Sequence, residues 1–440
     1  MKLFAGLAPF IMLVFLPFLT VGQGKKSAAK TPDLTSMIAA EALKQEQQVI
    51  KWRRHMHQYP ELSNREYKTM AYIAENLKDL KIDIVTGMAH TGVVAVLDTG
   101  KPGPVIGLRA DMDGLPVRER VDLPFASKEE TEYLGQKVGI MHACGHDSHV
   151  AILMGTARVL SAMRDHLKGK IVFVFQPAEE GAPAGEEGGA ALLIKEGLIE
   201  KYGIQVMYGL HINSVTDVGV IRYKPLGIMA AADMFTIRVK GKQTHGSKPW
   251  DGVDPIVVSA QIILGLQTII SRQTDLTEEA AVITVGKITS GVRNNIIPEE
   301  AEMIGTIRTL DTAMQRKVHE KIRLTAEKIA ESAGAVAEVD IKILYPVTFN
   351  DPKLSAKMLP SLEKAAGEDN VRVMKASTGA EDFSFYAKKV PGLFFMLGGK
   401  PKGLDPLDAS LHHTPDFYID ESGFILGMKA LAQLVVDTSL

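Results

Sequence analysis

Lys170–Glu180 reads KIVFVFQPAEE, an apolar run of strand length closed by Gln176 and Pro177 and followed at once by two adjacent carboxylates. A run without polar alternation is what a strand buried on both faces shows, and such strands belong to parallel sheets covered by helices. Working outward, the layout recurs. Residues 104–113 (PVIGLRADMD) run into Asp111 and Asp113, and residues 206–213 (VMYGLHIN) run into His211. TGVVAVL at 91–97 and GLFFMLGG at 392–399 add two more segments of strand length. Helical patterns separate most of them: one from Met37 to Lys51, one that Ser63 and Asn64 can cap and that reaches about Leu77, and one that starts near Ser148. The alternation predicts an α/β fold, a mostly parallel twisted sheet flanked by helices. In such sheets sites lie beyond the carboxyl ends of the strands, where these acids and this histidine fall.

A different rhythm occupies residues 225–343. MFTIRVKG leads to a helix announced by Asp254-Pro255, then come AAVITVGKI and EAEMIGTIRTL, a helix from Thr312 to about Ser332 ending at Gly334, and VAEVDIKILY. This β-α-β-β-α-β order is that of the ferredoxin-like motif. We therefore expect an inserted α+β domain at 225–343 that splits a larger catalytic domain into 33–224 and 344–440.

At 440 residues the chain exceeds what one core usually fills, which suits a large domain plus a smaller one. Its 50 Lys and Arg nearly balance 52 Asp and Glu, and no stretch concentrates basic residues among aromatic ones, so no nucleic-acid surface is expected. The opening Met-Lys, the apolar run at 3–21 and the small polar mixture after it have the layout of a secretory signal peptide, here 1–22. The expectation is an exported protein, periplasmic or secreted, with no stable membrane insertion once the leader is cleaved. An uncleaved anchor is the alternative, and no other segment reads as a span. Cys144 is the sole cysteine, so an intramolecular disulfide is excluded. Its setting, HACGHDSH at 142–149, suits a metal ligand better than an apolar core.

Cys144 and His146 sit two apart before a helix, where alternate side chains of extended backbone can converge on one cation. His142 and His149 are nearby alternatives. Glu179 and Glu180 are neighbours whose side chains diverge, so one can bind a metal while the other moves protons, the division that metal-assisted hydrolysis needs. Glu186 and Glu187, in the Gly-rich loop that follows, read as a solvated acidic turn. His211, with either His412 or His413, then supplies enough N, S and O donors for two divalent cations about 3.5–4 Å apart.

The segments HMHQYPELS, GLRADMDGLP, HACGHDSHVAILMG, FVFQPAEEG, GLHI, GKQTHGSKP, NNIIP, GTIRT, STGAEDFSFY and HHTPDF, in this order, resemble the aminoacylase and carboxypeptidase-like metallopeptidase family. HACGHD with PAEEG is similar to the branch of hippurate hydrolases, N-acyl-L-amino acid amidohydrolases and auxin-conjugate hydrolases. The resemblance implies a zinc-exopeptidase-like catalytic domain with an inserted lid and dimerisation domain. It implies metal ligands at Cys144, His146, Glu180, His211 and His413, choosing His413 over His412, with Glu179 as general acid/base and Asp113 as a supporting acid. It further implies that His245, reaching across a homodimer, and Asn295 contact the substrate carbonyl, and that Arg308 holds the substrate carboxylate. One departure is Trp250, where many relatives have a histidine.

The implied activity is hydrolysis of small N-acyl or N-aroyl amino acids with two divalent cations, zinc or manganese, cobalt and nickel also being admissible. Two other readings stay open: a dipeptidase or carboxypeptidase using the same site, and an inactive metal- or ligand-binding protein.

Overall fold

In the computed structural model, residues 33–440 are described together with residues 1, 6 and 8–10. The signal-peptide reading of residues 1–22 therefore falls almost entirely outside the described residues. In chain order the strands of the two main sheets are β1 (Asp83–Met88), β2 (Gly92–Asp98), β3 (Val105–Asp111), β4 (Lys170–Gln176), β5 (Val206–Asp217), β6 (Ile221–Tyr223), β7 (Ala231–Lys240), β8 (Ala281–Ser290), β9 (Glu300–Thr309), β10 (Val336–Tyr345), β11 (Val371–Val373) and β12 (Gly392–Lys400). The longer helices are α1 (Leu34–Gln58), α2 (Tyr67–Leu77), α3 (His146–Ala162), α4 (Pro255–Thr268), α5 (Thr312–Ser332), α6 (Pro352–Ala366) and α7 (Phe424–Ser439).

The first sheet has the order β1-β2-β4-β3-β5-β12-β6-β11. Its centre is parallel, β4 on β3, β3 on β5 and β5 on β12, and β11 runs parallel to β6; β1, β2 and the β12–β6 pair are antiparallel. Both faces are covered, as the unbroken apolar runs require. Ile171, Phe173 and Phe175 of β4 join the core beneath α1, α3 and α7, while Val172 and Val174 join a second core with Leu193, Leu198 and Phe383. Phe173 and Phe175 are fully buried, each worth roughly 1.5–3 kcal/mol over exposure.

The second sheet, β8-β9-β7-β10, is antiparallel throughout, with α4 and α5 packed on one face through Ile262, Leu266, Val318 and Ile322. With its helices between strands, this is the strand order of the ferredoxin-like motif. Asp254 caps α4 by accepting from the N–H groups of Ile256 and Val257, and Asp311 caps α5 by accepting from Met314.

Four local expectations need correction. Helix α1 runs on past Lys51 and contains His55 and His57. Ser63 and Asn64 do not cap α2: the Glu61 carboxylate accepts from the N–H groups of Lys68 and Thr69 instead, and Asn64, at φ 60°, is turned toward Glu186 and the Glu187 carbonyl. Glu186 is paired with Arg65, not merely solvated. Finally, among the described residues, Pro255–Gln273 is a 19-residue helical stretch apolar enough by composition to cross a membrane. Here its Val258, Ile262, Leu266 and Ile269 pack on the second sheet, the position of a core helix.

Asp147 ties α3 to α1. Its Oδ2 lies 2.9 Å from Arg53 Nε and 2.7 Å from His57 Nδ1. Burial acts to raise its pKa, but Arg53 and His57 outweigh that and hold the carboxyl well below the usual carboxylate range. Its contribution to stability is therefore present above the unfolded value, about 3.9, and lost as pH falls. His57 runs the other way: burial lowers its pKa, yet Asp147 and Glu119 raise it overall, so its contribution is lost as pH climbs through the raised folded value. Urea midpoints measured from pH 5 to pH 3 should fall less steeply for Asp147→Asn than for the parent; an unchanged slope would remove this pair as the cause.

Candidate active site

The site is assembled where the central strands stop. β3 delivers Arg109 and Asp111 on one face, then Asp113 two residues past its end. β4 is followed by a turn in which Ala178 takes φ 54°, unusual for a residue with a side chain, and whose N–H is held by the buried Glu66 carboxylate at 3.0 Å. That turn projects Glu179 and Glu180 together. Asp113 fixes them by accepting from both backbone N–H groups, Glu179 to Oδ1 and Glu180 to Oδ2, each at 3.0 Å, while Ser63 donates to Oδ2 at 2.7 Å. Burial raises the pKa of Asp113, but His146 and these donors outweigh it and lower the pKa overall.

His146 is the first residue of α3, two positions before the expected start, and Gly145 takes the cap at φ 94°. A Cβ on Gly145 would lie 2.4 Å from Ile212 Cγ2, so the turn that separates Cys144 from His146 tolerates no side chain. Gly145→Ala should therefore cost about 1–3 kcal/mol of stability, through left-handed strain and overpacking, and reduce metal retention. Urea unfolding and elemental analysis read the two effects, and a variant within 0.5 kcal/mol of the parent would refute the clash.

All five expected ligands converge. The donor atoms of Cys144, His146 and His211 lie within 4.8 Å of one another, as do those of Cys144, Glu180 and His413, and those of His146, Glu179 and Glu180. Cys144 Sγ is 3.3 Å from His211 Nε2, and Glu180 Oε1 is 2.9 Å from His413 Nε2. His211 lies inside β5 rather than at its end, because β12 pairs with β5 through Met396 opposite His211 after the β3 pairing has stopped at Arg109. His413, at φ 63°, is anchored by its N–H to the Ala143 carbonyl at 2.8 Å.

The histidines left open by sequence separate clearly. His149 accepts from the Ile212 N–H at Nε2 (2.8 Å) and donates from Nδ1 to Asp111 Oδ1 (2.5 Å), so both nitrogens are used. His142 is buried, with neither ring nitrogen hydrogen-bonded. His412 stays beside the centre, Nδ1 3.7 Å from Cys144 Sγ, but its Nε2 accepts from the Ser214 N–H. His245 and Asn295 lie elsewhere and exposed, His245 on a short two-stranded ladder of the inserted segment where it pairs with Ile296, and Asn295 in the turn just before Ile296. Arg308 is half-buried on β9; none of these three lines the cleft at the five donors.

Several participants carried no role in the sequence reading. Arg109 is fully buried and donates to Asp111 Oδ2 (2.7 Å), Asp382 Oδ1 (2.6 Å) and Gln176 Oε1 (2.9 Å), with Glu381 Oε1 at 2.8 Å. Asp111 was visible as a strand-end acid; the alternation of Arg109 and Asp111 shows a shared face but not the partners 270 residues away. Tyr345, the last residue of β10, donates to the Glu179 carbonyl at 3.0 Å and brings the second sheet to the site.

The donor set fits divalent cations. His146 Nε2 and Glu180 Oε1 are buried and accept no aligned hydrogen bond, although His146 Nδ1 donates to the Asp113 carbonyl at 2.9 Å and thereby turns Nε2 inward. The field calls for positive charge. Burial alone would lower the pKa of His146, but Asp111, Asp113 and Glu180 push it up to about 10; burial with Glu180, Glu179 and Asp111 pushes the Cys144 thiol well up; and burial with Glu381 and Glu180 raises Glu179 well above the carboxylate range. Proton or cation must sit among these groups.

Comparison with known proteins agrees. The model of peptidase family M20/M25/M40 matches residues 107–437. The chain is 38% identical over 409 residues to thermostable carboxypeptidase 1 of Saccharolobus solfataricus, covering 92% of this chain and 99% of that protein. It is 38% identical over 380 residues to the N-acetyl-L-cysteine deacetylase of Bacillus subtilis, covering 86% and 85%. A crystal structure of a Bacillus subtilis dinuclear metal-binding peptidase of family M20 superposes with a TM-score of 0.75 at 34% identity, covering 90% of this chain and 99% of that one. Sequence, fold and converging donors thus lead to one conclusion: the chain belongs to peptidase family M20/M25/M40 and is a metal-dependent hydrolase of amide bonds.

Proposed function

We propose that the enzyme hydrolyses the amide bond of small N-acyl or N-aroyl amino acids, with Cys144, His146, Glu180, His211 and His413 holding two divalent cations and Glu179 acting as general acid/base. The observation that carries the reading is Cys144, common to the donor group with His146 and His211 and to that with Glu180 and His413. A thiolate shared in this way suits two adjacent cations. When bound, they supply the Lewis acidity that lowers the pKa of water from about 15.7 to roughly 7.

The chain's own residues do the rest. The hydrogen bonds that hold Glu179 run through its backbone, N–H to Asp113 and carbonyl from Tyr345, and its Oε2 is 3.9 Å from His146 Nε2. Its carboxylate can therefore accept the proton of the attacking water and return it to the leaving nitrogen as the C–N bond breaks. Asp113 keeps His146, Glu179 and Glu180 in register. His245 and Asn295 complete the site from the inserted segment by donating to the substrate oxygen, His245 across a homodimer, and Arg308 receives the substrate carboxylate. The exposed Ile256, Val257 and Leu264 on α4 support such a dimer. The Met-Lys start and the apolar run at 3–21 support a reading of export.

The test is a panel of N-acetyl and N-benzoyl amino acids beside unblocked dipeptides, with elemental analysis of protein purified without added metal. Turnover of the blocked amino acids with two cations per chain is expected. Cleavage of dipeptides alone would favour the peptidase reading that the carboxypeptidase relative suggests.

A further inference from the structure

The cleft at the donors, about 380 Å³, is lined by two chemical sets. One is the polar centre with Glu179, Glu180, Glu381 and the histidines. The other is Met229, Met374 and Met396 with Gly379 and Ala380. The methionines come from separate parts of the fold. Met396 is the β12 residue opposite His211, Met374 follows β11 and donates its N–H to the Tyr223 carbonyl, and Met229 pairs with Ser377. Met229 and Met374 are half-buried and Met396 is nearly covered, so thioether surface remains open to the cleft. At Gly379 a Cβ would meet Ser377 Oγ at 3.3 Å and Met229 Cε at 3.4 Å, so a methyl there would fit while taking space beside the Met229 thioether.

We infer that Met229, Met374 and Met396 form the acyl pocket and select flexible, unbranched apolar acyl chains over short or polar ones. This rests on the amidohydrolase reading above. The leaving half of an N-acyl amino acid carries a carboxylate one carbon from the scissile nitrogen, and burying an unpaired carboxylate is strongly unfavourable. Among the described residues lining the cleft none is Lys or Arg, so no guanidinium or ammonium beside the methionines pairs that carboxylate, and the thioether wall suits the acyl half. Three unbranched, polarisable side chains can re-form around chains of different length, which a wall of β-branched residues cannot do.

The experiment is kcat/KM for the N-acetyl, N-butanoyl, N-hexanoyl and N-octanoyl derivatives of one amino acid, with N-succinyl as the polar control, on the metal-loaded enzyme. Each methylene that reaches the wall should raise kcat/KM about fourfold until the chain outgrows the cleft. The succinyl derivative should fall below the butanoyl one. Met374→Ser should flatten the series, Met374→Leu should largely restore it, and Gly379→Ala should move the optimum to a shorter chain; melting and metal content check that each variant is folded and loaded. A flat series on an enzyme that does cleave these amides, or a slope untouched by Met374→Ser and Gly379→Ala, would overturn the acyl pocket and leave the amidohydrolase reading standing. No cleavage of any of them would overturn both.

Discussion

Glu179→Gln is expected to lower kcat by about 10²–10⁴-fold while leaving two cations per chain, because an amide of the same shape fills the position but takes no proton. Glu179 is placed by its backbone N–H and carbonyl, so the substitution does not disturb the hydrogen bonds to Asp113 and Tyr345. Steady-state kinetics and elemental analysis on the same preparation separate the two effects. Retained turnover would remove Glu179 as the proton carrier, and lost metal would make it a ligand. Glu180→Gln should differ, since Glu180 Oε1 faces His413 Nε2 at 2.9 Å and belongs with Cys144: metal content itself should fall.

Arg109→Met is expected to cost about 3–5 kcal/mol of stability, the usual penalty for removing one side of a buried ion pair. Here one guanidinium faces Asp111, Glu381 and Asp382, all buried, so its loss leaves three carboxylates without their cation. The damage should spread to the site. Asp111 would lose the partner that holds it against His149, and through His149 the β5 backbone at Ile212 beside His211. Denaturant unfolding reads the stability loss and metal content reads the spread. A loss under 1 kcal/mol would mean that the acids take up protons and the guanidinium is not their main support.

The parts of the site visible in the sequence were those whose chemistry is local. Cys144 with His146 is a pair of metal-type side chains two apart ahead of a helix, and Glu179 with Glu180 closes an apolar run, since a buried strand reveals where it stops. His211 was found for the same reason although β5 continues past it, because the pairing that extends β5 comes from β12, far away in the chain. What stayed hidden depends on register between distant segments. Nothing near Arg109 announces Glu381 and Asp382, and nothing in HDSH says that His149 turns to Asp111 while His146 turns to the donors. Ser63 and Asn64 look like a helix cap because their chemistry is that of caps. The tertiary contacts to Asp113 and Glu186 take precedence.

The place of β12 in the first sheet bears on how the protein is made. Residues 392–400 slot between β5 and β6, both synthesised some 170 residues earlier, and β5 alone carries His211. Until residues 392–400 are made, β5 presents an open backbone edge, a surface on which another nascent chain can pair. Truncations ahead of residue 392 should therefore precipitate rather than accumulate as a smaller active enzyme.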